Sequence, residues 1–176
     1  MRKVAVVGAG HAKFGVRSDV DASELTWEAT KLACEDAHLT PKDLEFYVYG
    51  AGIPGLSYEE LLAAPAFAEY ANMMPAGHMR VESACATGSA AVHVAYMKIA
   101  SGLCDITIAV GIDKMTEVDT PTQVEIIGRA GSYLWEFENF GLTFPGYYAL
   151  MATAHMAKFG TTEEDMALVA VKNHHY

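Results

Sequence analysis

Positive charge is scarce in this 176-residue sequence: 12 Lys and Arg stand against 22 Asp and Glu, a formal net charge of −10. A phosphate backbone needs a basic face, so nucleic acid is excluded as the main partner. Cysteine is sparse as well. Cys34, Cys85 and Cys104 are 51 and 19 residues apart, which makes neither a disulfide framework nor a Cys-x-x-Cys metal site. A reducing, cytoplasmic setting is the expectation. No run of about 18 apolar residues occurs without a charge or a turn breaker, so no membrane partner is expected. Met1-Arg2-Lys3 and Val4–Val7 pass into glycine-rich loop too early for a signal peptide. Charged residues make up only 19%, too few for a disordered chain. The length suits one domain of ordinary size and not two complete ones, and hydrophobic residues, at 52%, suffice to bury a core.

What is there alternates. Val4–Val7 is a β-branched run ending at Gly8, which predicts a strand buried on both faces. A helix follows from Ser23, its expected cap, with Leu25, Ala29, Leu32, Ala33 and Ala37 at helical spacing. Leu44–Tyr49 predicts a second strand. Ser57-Tyr58-Glu59-Glu60 reads as a capping box opening a helix to about Ala71. His78–Glu82 predicts a third strand, Ala84–Ala100 an almost uncharged helix, and Asp105–Val110 a fourth strand. Residues 113–146 are irregular and aromatic. Tyr147–Phe159 and the stretch after Thr161-Thr162-Glu163-Glu164 predict two closing helices. Alternating strands and helices give an α/β fold class with a parallel-rich sheet.

One segment carries chemistry. Cys85 sits where the third strand turns into a helix that begins with small residues only, Ala86, Gly88, Ser89 and Ala90. A helix start offers free N–H groups and about half a positive charge, which favour a thiolate. The small residues let a substrate approach. The helix is apolar all round, which predicts burial on every side. The residues alone leave two readings of Cys85 open: a nucleophile, or a small apolar residue packed in the interior. Cys34 lies on the apolar side of a helix and Cys104 precedes a strand, so core packing is expected for both.

Val81-Glu82-Ser83-Ala84-Cys85-Ala86-Thr87-Gly88-Ser89-Ala90-Ala91, with residues 100–105 and 110–115, resembles the nucleophile elbow, buried helix and fourth strand of the thiolases. Residues 6–15 resemble the family's first strand and loop, and 148–162 with 171–175 its helical insertion. The flavour is archaeal and sterol-carrier type. This resemblance implies a layered α-β-α fold with a mixed sheet. It divides the chain into a core over residues 1–112, an incomplete half, and a loop insertion over 113–176. Family members are roughly twice as long and contain two similar halves. The loops that supply the activating histidine and the second base lie in the half absent from this chain, and even the fifth strand of the first half is expected after residue 176.

The activity implied is acyl-CoA C-acyl transfer, with Cys85 holding the acyl group as a thioester. Its backbone N–H is expected to form half of an oxyanion site. Coenzyme A thioesters are the implied substrates, with no permanently bound cofactor and no metal. Met115, Tyr147 and Tyr148 fall where the family shapes its substrate pocket. Lys114, Arg129, Lys158 and Lys172 are scattered bases, expected to be solvated. A homo-oligomer through strand 78–82 is implied. So are partners: a C-terminal thiolase half, hydroxymethylglutaryl-CoA synthase and a small OB-fold, zinc-ribbon protein. A non-catalytic scaffold subunit is the alternative. A cysteine hydrolase would need a histidine near Cys85, and no motif supplies one.

Other signals carry less. Gly8-x-Gly10 lacks the third glycine of a dinucleotide fingerprint, since position 13 is Lys13. Adjacent His174 and His175 point to different sides of a helix and make no metal site. His93 is expected as a hydrogen-bonded core residue. His155 is expected to lie outside the chemistry. Met73 and Met74 are expected to pack at a turn.

Overall fold

A computed structural model describes residues 2–176. It forms two compact units, Met1–Gln123 and Val124–Tyr176. In the first unit α1 (Ala22–Asp36) precedes β1 (Phe46–Gly50). The chain then passes through α2 (Pro54–Ser57) and α3 (Ala63–Tyr70) into β2 (Gly77–Val81). A 3₁₀ turn, Ala84–Ala86, leads into α4 (Thr87–Ala100), which returns to β3 (Thr107–Gly111). The sheet order is β2-β1-β3 and both pairings are parallel. Helical crossovers impose that direction, because parallel neighbours need a long connection over one face.

The central strand alternates between two helical layers. Tyr47 and Tyr49 face α1 and α3, where they pack with Phe67, Ala64 and Cys34. Val48 faces the other way, against Ala91 and Ala95 of α4. Tyr47, Val48 and Phe67 are fully buried. Each such side chain stabilises the fold by about 1.5–3 kcal/mol relative to exposure. The result is the expected α-β-α layering.

Several local readings change. Residues 4–7 form no strand, and Val6 and Val7 are 89% and 65% exposed. This segment is held by α1 instead. The Ala9 N–H donates to Asp36 Oδ2 (2.9 Å), and the Lys13 N–H to Glu28 Oε1 (3.1 Å). Gly8 and Gly10 lie so close to α1 that an added Cβ would meet the Ala33 and Ala29 carbonyl oxygens at 2.5 and 2.1 Å. Between residues 4–10 and β3 a slot of about 470 Å³ stays open, walled by Ala29 and Ala33 of α1 and by Val92 and Tyr96 of α4. A strand forms only where a neighbour's backbone is within reach, and here the slot intervenes.

The α1 cap is Asp21, reciprocated by Glu24, rather than Ser23. Its buried stripe is Thr26, Thr30 and Cys34, while Leu32 is exposed. The two threonines can be buried because their hydroxyls donate to the carbonyls four residues back, at 2.7 and 2.9 Å. Ser57 ends α2 instead of opening a helix, and Glu59 takes a left-handed φ of 58° that breaks the pattern. In α4 only one side is covered. Val92, Tyr96 and Met97 are exposed, and so is His93, which is therefore no core histidine. Lys114 is buried and ion-paired with Glu117 rather than solvated. Met73 is buried and Met74 exposed.

The stretch after β3 is more regular than its composition implies. It contains a 3₁₀ turn at Met115–Glu117, α5 (Thr120–Gly128) and a π-helical turn at Tyr133–Glu138. In the second unit, Phe137 packs on Gly128, and the Tyr133 hydroxyl donates to Glu125 (3.0 Å). Then come α6 (Phe144–Phe159), closed by Gly160 in the left-handed conformation, and α7 (Glu163–His175), capped by Thr162 and Asp165.

Candidate active site

All three strands run parallel, so the loops after Gly50, Val81 and Gly111 share one edge of the sheet. Ligands of open α/β sheets bind at that carboxyl edge. Cys85 is there. It is exposed, in the 3₁₀ turn between β2 and α4. Two residues later α4 begins, and its 14 residues aim the positive end of their dipole at this turn. Cys34 and Cys104 are buried, and burial raises both thiols above the ordinary value, helped by Asp43 and Glu45 respectively.

The turn is fixed by short-range bonds. The Glu82 carboxylate accepts from the Ala84 N–H. Buried Thr87 accepts from the Ser83 N–H (2.9 Å) and donates its hydroxyl to the Ala84 carbonyl (2.6 Å). Ala84 itself has φ 46°, a left-handed conformation unusual for a residue with a Cβ. This strained residue directly precedes Cys85 and lifts it out of the strand direction. Sequence reasoning missed Ala84, Thr87 and Glu82. A non-glycine left-handed residue leaves no trace in composition or periodicity.

The neighbouring loop, Ala51–Ile53, is clamped from both sides. Arg80 of β2 donates from Nε to the Ala51 carbonyl (3.1 Å) and from Nη2 to that of Gly52 (3.5 Å). Asp113, just beyond β3, accepts from the N–H groups of Gly52 (3.3 Å) and Ile53 (3.2 Å). The loop after β1 is thus tied to β2 by Arg80 and to the segment after β3 by Asp113.

The other expected site residues fall as follows. Met115 begins the 3₁₀ turn after β3 and is 38% exposed. Tyr147 and Tyr148 open α6 in the second unit. Tyr147 donates its hydroxyl to the Glu136 carboxylate, while Tyr148 is exposed. His155 packs at a tilt against Phe159 and bonds to Thr161 Oγ1 (2.8 Å). Among the described residues no group of three or more His, Cys, Asp and Glu side chains could hold a metal ion. No helix among them is long and apolar enough to cross a membrane.

Comparisons with known proteins place the chain in one family. The family model "Thiolase, N-terminal domain" matches residues 4–176. An acetyl-CoA acetyltransferase of Methanothermobacter thermautotrophicus is 41% identical over 174 residues, which are 99% of this chain and 45% of the relative. One of Methanocaldococcus jannaschii is 37% identical, over 99% of the chain and 44% of the relative. Sterol carrier protein 2 of Bos taurus is 32% identical, over 98% and 32%. Among solved structures, the Ltp2-ChsH2(DUF35) aldolase superposes with a TM-score of 0.70 at 21% identity, over 92% of this chain and 40% of that one. An acetyl-CoA acetyltransferase from Syntrophomonas wolfei gives 0.56 at 22% identity, over 65% and 29%. The chain spans less than half the length of the curated relatives it matches.

Proposed function

Because the chain belongs to the thiolase family through that N-terminal domain, we propose that it is the N-terminal part of an acyl-CoA C-acyltransferase that makes or cleaves acetoacetyl-CoA and other 3-oxoacyl-CoA thioesters. Residues 1–112 are the core and 113–176 its insertion. In synthesis the Cys85 thiolate attacks the carbonyl of acetyl-CoA and expels the coenzyme A thiolate, which takes up a proton. A base removes an α-proton from a second acetyl-CoA. The resulting enolate attacks the Cys85 thioester, and collapse of the tetrahedral adduct releases acetoacetyl-CoA and restores the thiolate. Thiolysis is the reverse. The Cys85 N–H is read as one donor of an oxyanion site. The activating histidine and the base belong to the half that this chain does not contain.

The observation that carries the reading is the exposed thiol of Cys85 on a turn leading into the positive end of α4, in a chain whose other cysteines are buried. Met115, Tyr147 and Tyr148 are the proposed substrate contacts. β2 is an edge strand of the sheet, which suits a homo-oligomer joined there. A cytoplasmic setting and a complex with hydroxymethylglutaryl-CoA synthase and an OB-fold, zinc-ribbon protein belong to the same proposal.

Acetyl-CoA mixed with the full-length protein should acetylate the peptide bearing Cys85 and leave Cys34 and Cys104 free. Cys85→Ala should lose both the label and acyl transfer. Equal labelling of all three thiols would overturn the reading. Absence of any label, with complexes still formed by Cys85→Ala, would favour a scaffold instead.

A further inference from the structure

We propose that Thr87 is the positioning residue of the nucleophile turn, its one hydroxyl bridging the two residues that precede Cys85 and so aiming the thiol; this rests on Cys85 being the acyl carrier. Four backbone groups decide where the sulfur points: the N–H and C=O of Ser83 and of Ala84. The Ser83 carbonyl is taken by the Ala86 N–H (2.9 Å). The Ala84 N–H is taken by Glu82. Both remaining groups go to Thr87. Its oxygen accepts from the Ser83 N–H and donates to the Ala84 carbonyl, which also receives the Thr87 backbone N–H. No side chain without a hydroxyl can both accept and donate through one atom at this reach.

The turn needs such a clasp. Ala84 at φ 46° sits in a region that an L-residue leaves unless the surroundings hold it there. If the clasp opens, Ala84 relaxes toward ordinary backbone angles and the Cys85 Cα–Cβ bond swings with it. Thr87 itself is buried and cannot turn away. Its methyl carbon faces Gly50 at the end of β1, so the sheet edge fixes the hydroxyl's position. Methyl and hydroxyl therefore do separate jobs, and two substitutions separate them. Thr87→Val keeps the shape and removes the bridge. Thr87→Ser keeps the bridge and removes the methyl.

The experiment compares the full-length wild type, Thr87→Val and Thr87→Ser. The readouts are the rate of Cys85 acetylation by acetyl-CoA, the rate of Cys85 alkylation by iodoacetamide, kcat and KM, and the denaturation midpoint. Misplacement of a reacting group by about 1 Å costs on the order of 100-fold in rate. Thr87→Val should lose at least about tenfold in acetylation and kcat, with KM for acetyl-CoA little changed. Thr87→Ser should restore the rate to within about threefold, whatever its midpoint. Wild-type rates in Thr87→Val overturn the proposal. So do equal losses in both variants that track their midpoints, since packing alone would then explain them. Should Thr87→Val not fold, Thr87→Ser decides: near wild-type kcat supports the bridge, and a tenfold loss overturns it. If wild-type Cys85 takes no acetyl group, the acyltransferase reading fails. The alkylation rates of the three proteins still report on the turn by themselves.

Discussion

Gly50 and Thr87 meet at the carboxyl edge of the sheet so closely that a Cβ on Gly50 would lie 3.3 Å from both the methyl carbon and the carbonyl oxygen of Thr87. The first turn of α4 can rest on β1 because position 50 carries no side chain. Gly50→Ala should push the start of α4 outward by a few tenths of an ångström. Overpacking of this kind costs about 1–3 kcal/mol, read as a lowered urea midpoint. Cys85 acetylation should slow as well, since the displaced residues carry its turn. An unchanged midpoint together with an unchanged acetylation rate would dismiss the contact.

The three thiols should separate cleanly by chemistry. Cys34 packs between α1 and the sheet, and Cys104, just before β3 in the chain, is buried as well. Burial disfavours the thiolate of each, and only a thiolate reacts. Peptide mapping after brief treatment of the native protein with iodoacetamide should find the label on Cys85. Cys34 and Cys104 should react only once denaturant opens the core. Native labelling of Cys34 at the Cys85 rate would contradict its burial.

How far the sequence foretold this depends on which force acted. The strands at 46–50 and 107–111 were legible because β-branched and aromatic runs bounded by glycine have few other uses, and the one at 77–81 because it lies between a Pro-Ala-Gly break and a helix of small residues. Cys85 at a strand-to-helix turn was legible for the same reason. Burial was less so. Thr26 and Thr30 face the core, although their type suggests a surface, because each hydroxyl finds a carbonyl within its own helix. Leu32, apolar by type, faces out. The run Val4–Val7 had a strand's composition, but pairing depends on a neighbour, and no local signal states whether one is in reach. The Thr87 bridge was invisible for a related reason: it follows from one backbone angle at Ala84.

Tyr147 gives a test with a definite sign in pH. Its hydroxyl donates to Glu136, and that bond, aided by the Ser132 N–H, holds the Glu136 carboxyl below its ordinary value. The same bond raises the Tyr147 phenol. A lowered carboxyl stabilises the folded state at pH above its unfolded value, and that contribution is lost as pH falls through the lowered folded value. The raised phenol contributes below its unfolded value and ceases to as pH rises through the folded one. Tyr147→Phe should move the Glu136 titration, followed by NMR, back up toward the ordinary carboxylate range. A Glu136 titration identical in the two proteins would rule the bond out. A loss of acyl transfer larger than the structural change would mark Tyr147 as a substrate contact as well.

The Asp113 carboxylate is the last restraint on the loop beside Cys85. It accepts from two successive N–H groups, those of Gly52 and Ile53, while Arg80 donates to the carbonyls of Ala51 and Gly52 from the opposite side. Asp113→Ala removes both acceptors at once. Leaving hydrogen-bonding groups unpaired costs about 1–3 kcal/mol for each that water cannot reach. The loop is partly open to water, so the stability loss should fall at the low end, and the clearer signal is local. Hydrogen exchange at the Gly52 and Ile53 amides should quicken, while amides in the centre of β1, such as that of Val48, keep their protection. Asp113→Asn retains one acceptor oxygen and should give intermediate exchange. Because this loop borders the Cys85 turn, Asp113→Ala should also slow the proposed acetylation, by less than Thr87→Val does, since it frees the wall of the site rather than the turn that carries Cys85. Wild-type exchange at Gly52 and Ile53 in Asp113→Ala would remove the clamp from the account of this edge.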